Sequence, residues 1–244
     1  MPEIIHLSQT HSTNLYLRQI VESNPTVEEG LVIWTDFQIA GRGQQGNSWE
    51  SEEKKNLLMS LLLCPQSINA QQQFVISQVV SLGILDVLNS IQEGFTVKWP
   101  NDIYYQDKKV AGILIENDLS GKTIYNSIVG IGLNVNQDRF LSDAPNPISL
   151  KQITGEELDR EAVMTHMLDR IFFYYEMALS GEKEYIHQRY MDSLYRRDGY
   201  HLFSDPQKEF HARIHNIDLT GMLTLKEKNG EERTFAFKEV EFII

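Results

Sequence analysis

Cysteine is almost absent from this sequence of 244 residues, which contains Cys64 alone. A single cysteine excludes an internal disulfide and is typical of proteins kept in a reducing compartment. The longest apolar run near the N-terminus, residues 57–64, is interrupted by Ser60 and is far too short to span a bilayer. The N-terminal residues contain neither the basic nor the apolar region that marks a signal peptide. We therefore expect a cytoplasmic protein without a membrane segment.

Positive charge is also scarce, with 22 lysines and arginines against 34 aspartates and glutamates and a net charge of −12. Because nucleic-acid backbones are bound through a cationic surface, this balance argues against a general nucleic-acid partner. The histidines are scattered, and the pair with the most metal-like spacing, His211 and His215, has no third ligand nearby in the sequence. We expect no transition-metal site in the chain itself.

Apolar residues make up 41% of the sequence, which is enough to build a core in one large domain or in a medium and a small one. Ser12 can cap a short helix that runs to about residue 22, and a Thr154-x-x-Glu157 capping box indicates the start of a later helix. Hydrophobic periodicity predicts further helices over 71–91 and 182–194, and strands over 31–34, 56–63, 95–99, 103–105, 110–116 and 124–132.

The C-terminal part of the chain differs from the rest, since it has the pattern of short strands separated by turns at 204–206, 218–221 and 229–230. This pattern is typical of a small all-β unit, most simply a barrel of about five strands. We therefore predict two domains, an α+β domain over residues 1–195 and a β domain over residues 196–244.

A glycine-rich stretch, residues 40–50 (AGRGQQGNSWE), matches two nucleotide-binding patterns in part. The spacing Gly41-x-Gly43-x-x-Gly46 is that of the dinucleotide fingerprint, but no helical pattern follows it and no acidic residue stands about twenty positions further on. A phosphate-binding P-loop would need a lysine where this chain has Asn47. Two interpretations remain open: a mobile surface connection, or a loop whose backbone amides approach an anion.

Two later stretches favour the second interpretation. Residues 98–102 (KWPND) turn out of a strand and lead into an apolar strand that contains Gly112, and a glycine there commonly marks close approach of a ligand or another chain. Residues 130–136 (GIGLNVN) place two glycines and two asparagines at a strand end. An asparagine amide in that position can bind the edge of a planar ring, although both residue types are also common where strands end.

Four segments, taken in order, resemble the signatures of the biotin protein ligases: STN at 12–14, FQIAGRGQQGNSW at 37–49, KWPNDIYYQDKKVAGILIE at 98–116 and GIGLNVN at 130–136. The resemblance covers residues 3 to 190, approximately. It implies a mixed β-sheet packed with helices, related to class II aminoacyl-tRNA synthetases and lipoate ligases, and a small C-terminal SH3-like β-barrel. The implied activity converts biotin and ATP, carried as its magnesium complex, to biotinyl-5′-AMP and then biotinylates a lysine of a biotin carboxyl carrier domain of acetyl-CoA carboxylase or related carboxylases.

The resemblance also assigns residues to the two substrates. Those expected to bind biotin are Ser12, Thr13, Asn14, Gln38, Gly41, Arg42, Gly43, Lys109 and Gly112. Those expected to bind ATP or the adenylate are Arg42, Gln44, Trp49, Asn101, Asp102, Lys109 and Asn134. Lys109 and Arg42 are expected to be catalytic, because a cation beside the phosphate stabilises the negative charge that develops there. Gln44 departs from the family pattern, which often has an arginine at this position, so we expect the adenylate either to be retained more loosely or to be held by another group.

Further expectations follow from the resemblance. Because the STN segment lies near the start of the chain, we expect a ligase without an N-terminal DNA-binding domain, acting as a monomer or weak homodimer with no nucleic-acid or membrane partner. No metal is expected beyond the magnesium that ATP carries. The loop over residues 41–55 is predicted to be mobile until the adenylate binds, because it lacks apolar periodicity. Two alternatives are a lipoate or octanoate ligase of the same superfamily and a non-catalytic protein whose β domain binds a partner.

Overall fold

The computed structural model describes residues 3–24, 26–142 and 146–244. The strands are β1 (Ile4–Leu7), β2 (Val32–Thr35), β3 (Leu57–Leu63), β4 (Phe95–Lys98), β5 (Asp102–Tyr105), β6 (Lys108–Ser120), β7 (Thr123–Leu133), β8 (His201–Ser204), β9 (Glu209–Ile217), β10 (Leu223–Glu227), β11 (Glu232–Phe235) and β12 (Glu241–Phe242). The helices are α1 (Thr13–Ser23), α2 (Phe74–Ile91), α3 (Leu150–Thr154), α4 (Arg160–Leu179) and α5 (Lys183–Asp192).

The first seven strands form one mixed sheet in the order β1-β2-β3-β7-β6-β5-β4. β1 pairs with β2 in parallel, whereas the other neighbours are antiparallel. Every residue of β3 is buried, because this central strand is covered on both faces. The α+β class and the mixed sheet packed with helices, both expected from the sequence, are therefore confirmed.

Helices cover the two faces of the sheet unequally. On one face α2 packs against α4 and α5 over the main core, while on the other α1 packs against β2, β3 and β7. Leu17 of α1 lies with Leu62 and Ile128 in a separate small cluster on that second face. α2 with the turn before it is apolar and long enough to cross a membrane, but 78% of an apolar 18-residue window within it is buried inside the protein, as in the core helix of a globular fold.

The last five strands form a second, antiparallel sheet in the order β11-β10-β9-β8-β12. It packs directly on the first sheet, since the indole of Trp99 donates to the carbonyl of Gly221 (2.9 Å) and meets the ring of Phe237 edge-on at 6.2 Å. One continuous hydrophobic cluster joins both sheets. The segment that joins the two sheets is also held against β4, because the Tyr195 amide donates to the Val97 carbonyl (2.8 Å). A domain boundary between residues 195 and 196 stays a prediction.

The capping box predicted at Thr154 and Glu157 is wrong. Thr154 is the last residue of α3, so it cannot start the helix that follows. The capping box lies instead at the start of α3, where Ser149 and Gln152 each bond the other's backbone amide. The long helix α4 is capped by Asp159, whose carboxylate accepts from two backbone amides of its first turn.

Candidate active site

The second face of the large sheet is open beyond α1, and a cross-strand row of residues forms its floor. In this row Leu58 pairs with Gly132, Gly132 with Gly112, Gly112 with Asp102, and Asp102 with Lys98. Directly paired residues point to the same face of a sheet. The floor therefore has two glycines without side chains at its centre and a carboxylate and an ammonium group at one end.

The glycines of the floor are required by what lies above them. A Cβ on Gly132 would lie 2.5 Å from the ring of Trp49, and one on Gly112 would lie 2.9 Å from the same ring. A Cβ on Gly130, in the neighbouring row, would lie 2.3 Å from Oδ1 of Asn14. Real side chains essentially never come this close, so any larger residue would displace the groups above.

A cavity of about 730 Å³ lies over this floor, a volume in the usual range for small-molecule sites. The predicted site residues that line it are Ser12, Thr13, Asn14, Gln38, Arg42, Gly43, Gln44, Trp49, Asn101, Asp102, Lys109, Gly112 and Asn134. Gly41 is the one predicted site residue outside the lining. Its carbonyl accepts from the amide of Trp49 (2.9 Å), and a Cβ there would lie 2.6 Å from the Trp49 carbonyl oxygen. Gly41 thus shapes the loop that carries Trp49.

One end of the cavity is a network of uncharged polar groups at the start of α1. The side-chain oxygen of Gln38 accepts from the amide of Thr13 (2.8 Å) and from its hydroxyl (3.2 Å). The hydroxyl of Ser60 lies 2.8 Å from that of Thr13 and 2.6 Å from Oδ1 of Asn14. Asn14 donates in turn to Glu116 (2.9 Å). These contacts fix the side chains in position before a ligand arrives.

Free hydrogen-bonding groups remain at this end. Within the part of the chain that the structure describes, neither the hydroxyl of Ser12 nor the side-chain nitrogen of Gln38 has a protein partner. Both residues line the cavity, and Ser12 is buried. They can therefore hydrogen-bond a small, polar, uncharged group of a ligand.

A charged pair lies beside the glycines of the floor. Nζ of Lys109 lies 2.7 Å from a carboxylate oxygen of Asp102, and both side chains are partly exposed to the cavity. The ammonium group also lies 5.6 Å from the centre of the Trp49 ring. Because Lys109 stands beside Gly112 in the glycine floor, an anionic group on the floor would come within reach of its charge.

Arg42 is held by a different carboxylate. Its guanidinium donates to Glu116 on β6, with a distance of 2.7 Å between Nη2 and Oε1. Arg42 was expected at the phosphate of a nucleotide, and it does line the cavity. In this structure the guanidinium of Arg42 lies near Asn14, because both side chains donate to the carboxylate of Glu116.

Trp49 comes from the glycine-rich loop and lies on the floor itself. The loop makes a short 3-10 turn at Gln44–Gly46, closed by a hydrogen bond from the Gly43 amide to the Asn47 carbonyl (2.7 Å). The buried indole nitrogen of Trp49 has no hydrogen-bond partner among the residues described. A planar ligand over the floor must stack on this ring or move it. The predicted mobility of residues 41–55 stays a prediction.

The two asparagines predicted to contact the nucleotide differ in what their amides do. The side-chain nitrogen of Asn134 donates to the Ile148 carbonyl (3.2 Å), while its buried oxygen has no partner in the described structure. The side-chain nitrogen of Asn101 donates to the carbonyl of Ile113, whose own amide donates back to Asn101 (3.0 Å). Asn134 therefore offers a ligand a free acceptor, whereas Asn101 holds the turn before β5 against β6.

A resident metal ion has little to bind here. The described residues contain no group of three or more histidine, cysteine, aspartate or glutamate side chains able to hold one. The carboxylates among the residues that line the cavity are those of Asp102 and Glu50. Magnesium is commonly bound through one or two carboxylates together with the phosphates of a substrate. The residues fit a magnesium ion that arrives on a nucleotide, and the carboxylate of Asp102, which pairs with Gly112 in the floor, would hold it.

Several groups that build the site were not predicted as site residues. Ser60, Glu116 and Lys98 belong to predicted strands, and Lys98 and Glu116 also stand at the two ends of the family-like segment 98–116, but none of the three was assigned a role. Gly130 belongs to the noted GIGLNVN segment and makes room for Asn14. Phe237, from the loop between β11 and β12, lines the cavity from the second sheet, and no pattern in the sequence places it there.

Comparison with known proteins agrees with this geometry. Residues 7–134 match the model of the biotin/lipoate A/B protein ligase family. The bifunctional ligase/repressor BirA of Bacillus subtilis is 36% identical over 155 residues, which are 60% of this chain and 46% of that protein. The biotin–acetyl-CoA-carboxylase ligase of Paracoccus denitrificans is 31% identical over 162 residues, which are 64% of this chain and 65% of that protein.

The solved structure of the Aquifex aeolicus biotin protein ligase in complex with biotin and ATP superimposes with a TM-score of 0.79. It is 27% identical, and the match covers 99% of this chain and 98% of that one. Since the family model spans more than half of the sequence, the chain belongs to the biotin/lipoate A/B protein ligase family. The matched region spans 46% of the Bacillus subtilis relative, slightly less than half of its length.

Proposed function

We propose that this chain is a biotin protein ligase that makes biotinyl-5′-AMP from biotin and ATP and transfers biotin to a lysine of a carrier domain. One observation carries the proposal: the uncharged polar groups of Thr13 and Gln38, the Lys109 cation and the free acceptor of Asn134 all line one cavity over the glycine floor. Activation of biotin by ATP needs these three kinds of group in one cavity. Uncharged polar groups bind the ring of the acid, a cation binds the phosphate, and an acceptor binds the adenine.

The polar network suits the ureido ring of biotin. That ring has one carbonyl acceptor and two N–H donors but no charge. The free donors of Ser12 and Gln38 can bind the carbonyl, and the hydroxyl oxygen of Thr13 lies close by as an acceptor. A site built to pair such groups discriminates strongly against a ligand that lacks them, because its buried polar groups would be left unpaired.

Lys109 serves the activation step in this proposal. The biotin carboxylate oxygen attacks the α-phosphorus of ATP, and the bond from that phosphorus to the pyrophosphate leaving group breaks. The ammonium of Lys109 stabilises the negative charge that develops on the phosphoryl oxygens. Arg42 is released from Glu116 and adds a second cation, while the free oxygen of Asn134 accepts from the amino group of adenine. Trp49 stacks on the ligand and excludes water.

The second step transfers biotin to an amine. The unprotonated ε-amino group of a carrier-domain lysine attacks the carbonyl carbon of the mixed anhydride, and AMP leaves. The protein holds the two reactants together and needs no covalent nucleophile of its own. The partner is the biotin carboxyl carrier domain of acetyl-CoA carboxylase or a related carboxylase, in the cytoplasm, and the magnesium ion enters and leaves with the nucleotide.

A lipoate or octanoate ligase of the same family is the second candidate, because the family description includes lipoate ligases. The polar network disfavours it, since an aliphatic chain would leave the free donors of Ser12 and Gln38 without partners in the cavity.

The direct test incubates the purified chain with ATP, magnesium and a biotin carboxyl carrier domain, and measures the intact mass of the carrier. We expect the mass of one biotinyl group to be added when biotin is present. A carrier whose target lysine is changed to arginine should stay unmodified, and lipoate or octanoate should give no product at the same concentration. Absence of the biotinyl mass, or equal modification with octanoate, would refute the proposal.

A further inference from the structure

Lys98 is a cation in the cavity wall that the proposed function leaves without a role. It is the last residue of β4 and is partly buried. Among the described residues its side chain forms no ion pair within 4.0 Å and no hydrogen bond, whereas its neighbour Lys109 forms an ion pair with Asp102. An ammonium group has three donors, so all three remain available to a ligand.

Two aromatic rings hold the Lys98 ammonium group in place. It lies 5.0 Å from the ring centre of Tyr104 on β5 and 5.4 Å from that of Phe242 on β12. Both distances are within the range of cation–π attraction. Phe242 belongs to the second sheet, so the position of this cation depends on contact between the two sheets. We call Lys98, Tyr104 and Phe242 the lysine clamp.

The lysine clamp lies at the far end of the glycine floor. Lys98 pairs directly with Asp102, which pairs with Gly112. Two strand spacings therefore separate Lys98 from Gly112, a distance of about 10 Å. Lys109 stands beside Gly112 and is the cation expected at the α-phosphate. A polyphosphate that runs from there across the floor extends toward the Lys98 end.

The charges around Lys98 also favour an anion. Burial lowers the pKa of Lys98, and the carboxylate of Asp102 opposes this by attraction. Lys109 and Arg196 lower the pKa further by repulsion, and Glu241 raises it. A buried cation that nearby acids do not fully compensate is stabilised when an anion binds beside it.

We propose that Lys98 binds the β- and γ-phosphates of ATP and the pyrophosphate that leaves, and that Phe242 positions it for this contact. The inference rests on the proposed function. When the biotin carboxylate oxygen bonds to the α-phosphorus, the bond to the bridging oxygen breaks and its electron pair leaves with pyrophosphate. Lys98 neutralises the charge that this adds to the leaving group. It serves the first step alone, because pyrophosphate takes no part in the transfer to lysine.

The test separates the two steps. Exchange of labelled inorganic pyrophosphate into ATP, in the presence of biotin, measures the first step, and transfer from synthetic biotinyl-5′-AMP to a carrier domain measures the second. The variants are Lys98→Gln, Lys98→Met, which keeps the apolar stem between the two rings, and Lys98→Arg, which keeps the charge. Phe242→Leu loosens the clamp, and Lys108→Gln is the matched control, since it removes an exposed lysine of the next hairpin. Circular dichroism checks that each variant is folded.

For Lys98→Gln and Lys98→Met we expect the KM for pyrophosphate to rise about 10- to 100-fold, the effect of losing one charge-assisted hydrogen bond. Transfer from biotinyl-5′-AMP should stay at the wild-type rate. Lys98→Arg should restore most of the exchange, Phe242→Leu should give a smaller rise, and Lys108→Gln should match the wild type.

An unchanged KM for pyrophosphate in folded Lys98→Met would overturn the assignment. Equal loss of exchange and transfer would overturn it too, because a purely structural role would affect both steps. If the wild-type protein itself supports neither reaction, the proposed function fails, and that result is distinct from either outcome for Lys98.

Discussion

Arg42 and Glu116 form an ion pair, with 2.7 Å between Nη2 and Oε1. The same carboxylate accepts from Asn14 at the polar end of the site (2.9 Å). One side chain thus connects the glycine-rich loop to the residues expected to bind biotin. Both partners of the ion pair are partly exposed, so the pair stabilises the loop by less than about 1 kcal/mol, and a bound phosphate can compete for Arg42.

Glu116→Gln should loosen the loop without disturbing the polar network. Glutamine keeps an oxygen that can accept from Asn14 but removes the charge that holds Arg42. We expect limited proteolysis within residues 41–55 to become faster in the ligand-free protein, and biotin with ATP to protect the segment in both proteins. Asp118→Asn is the control, because it breaks the Arg18–Asp118 pair on the same strand (3.1 Å) away from the loop. Equal cleavage in all three proteins would contradict the role given to Glu116.

Lys109→Ala should greatly lower the rate of adenylate formation and leave the protein folded. Loss of one cation beside the reacting phosphate costs about 2–4 kcal/mol in the transition state, or about 30- to 1000-fold in rate. Single-turnover formation of biotinyl-5′-AMP measures this directly, and the exposed neighbour Lys108→Ala serves as the control. A normal rate in folded Lys109→Ala would show that Lys109 does not stabilise the transition state of adenylate formation.

Two glycine substitutions should separate the two ends of the floor. Gly130→Ala places a Cβ 2.3 Å from the Asn14 side chain, and Gly132→Ala places one 2.5 Å from the Trp49 ring. Overpacking of this kind costs about 1–3 kcal/mol, or about 5- to 150-fold in affinity. We expect Gly130→Ala to raise chiefly the KM for biotin and Gly132→Ala chiefly the KM for ATP. The opposite pattern would reverse the orientation of the ligands on the floor.

Gln44→Arg should lengthen the residence time of biotinyl-5′-AMP. Gln44 lines the cavity, and arginine there adds a cation near the expected phosphate. One partly exposed contact of this kind contributes roughly 1–2 kcal/mol, so release should slow by about 5- to 30-fold. A stopped-flow chase with unlabelled biotin measures the release rate. Unchanged or faster release would show that position 44 does not face the phosphate.

Much of the site could be predicted because its residues lie in short, ordered segments with unusual composition. Gly112, for example, stands inside an apolar strand, where a glycine indicates close approach of another group. The structure adds the reason, which is that Gly112 pairs with Gly132 and both lie under Trp49. The register that brings them together depends on long-range pairing, which no local pattern determines.

Other features were missed for identifiable physical reasons. β1 has four residues at the edge of the sheet, and its half-exposed pattern gives too weak a signal to predict a strand. The true capping box, Ser149 with Gln152, precedes a helix of five residues, which is too short to show hydrophobic periodicity. Without that helix, the similar pair Thr154 and Glu157 is the first capping pattern before a predictable helix. Phe237 enters the cavity only because the two sheets pack together, and that contact follows from the tertiary fold.

Exchange of labelled pyrophosphate into ATP, measured with and without biotin, tests the central claim most directly, because it requires biotin and ATP to react on this floor without any carrier domain. The account predicts exchange that depends on biotin, is not supported by octanoate or lipoate, and falls in Lys109→Ala. Exchange that is independent of biotin, or that octanoate supports equally well, would contradict the account.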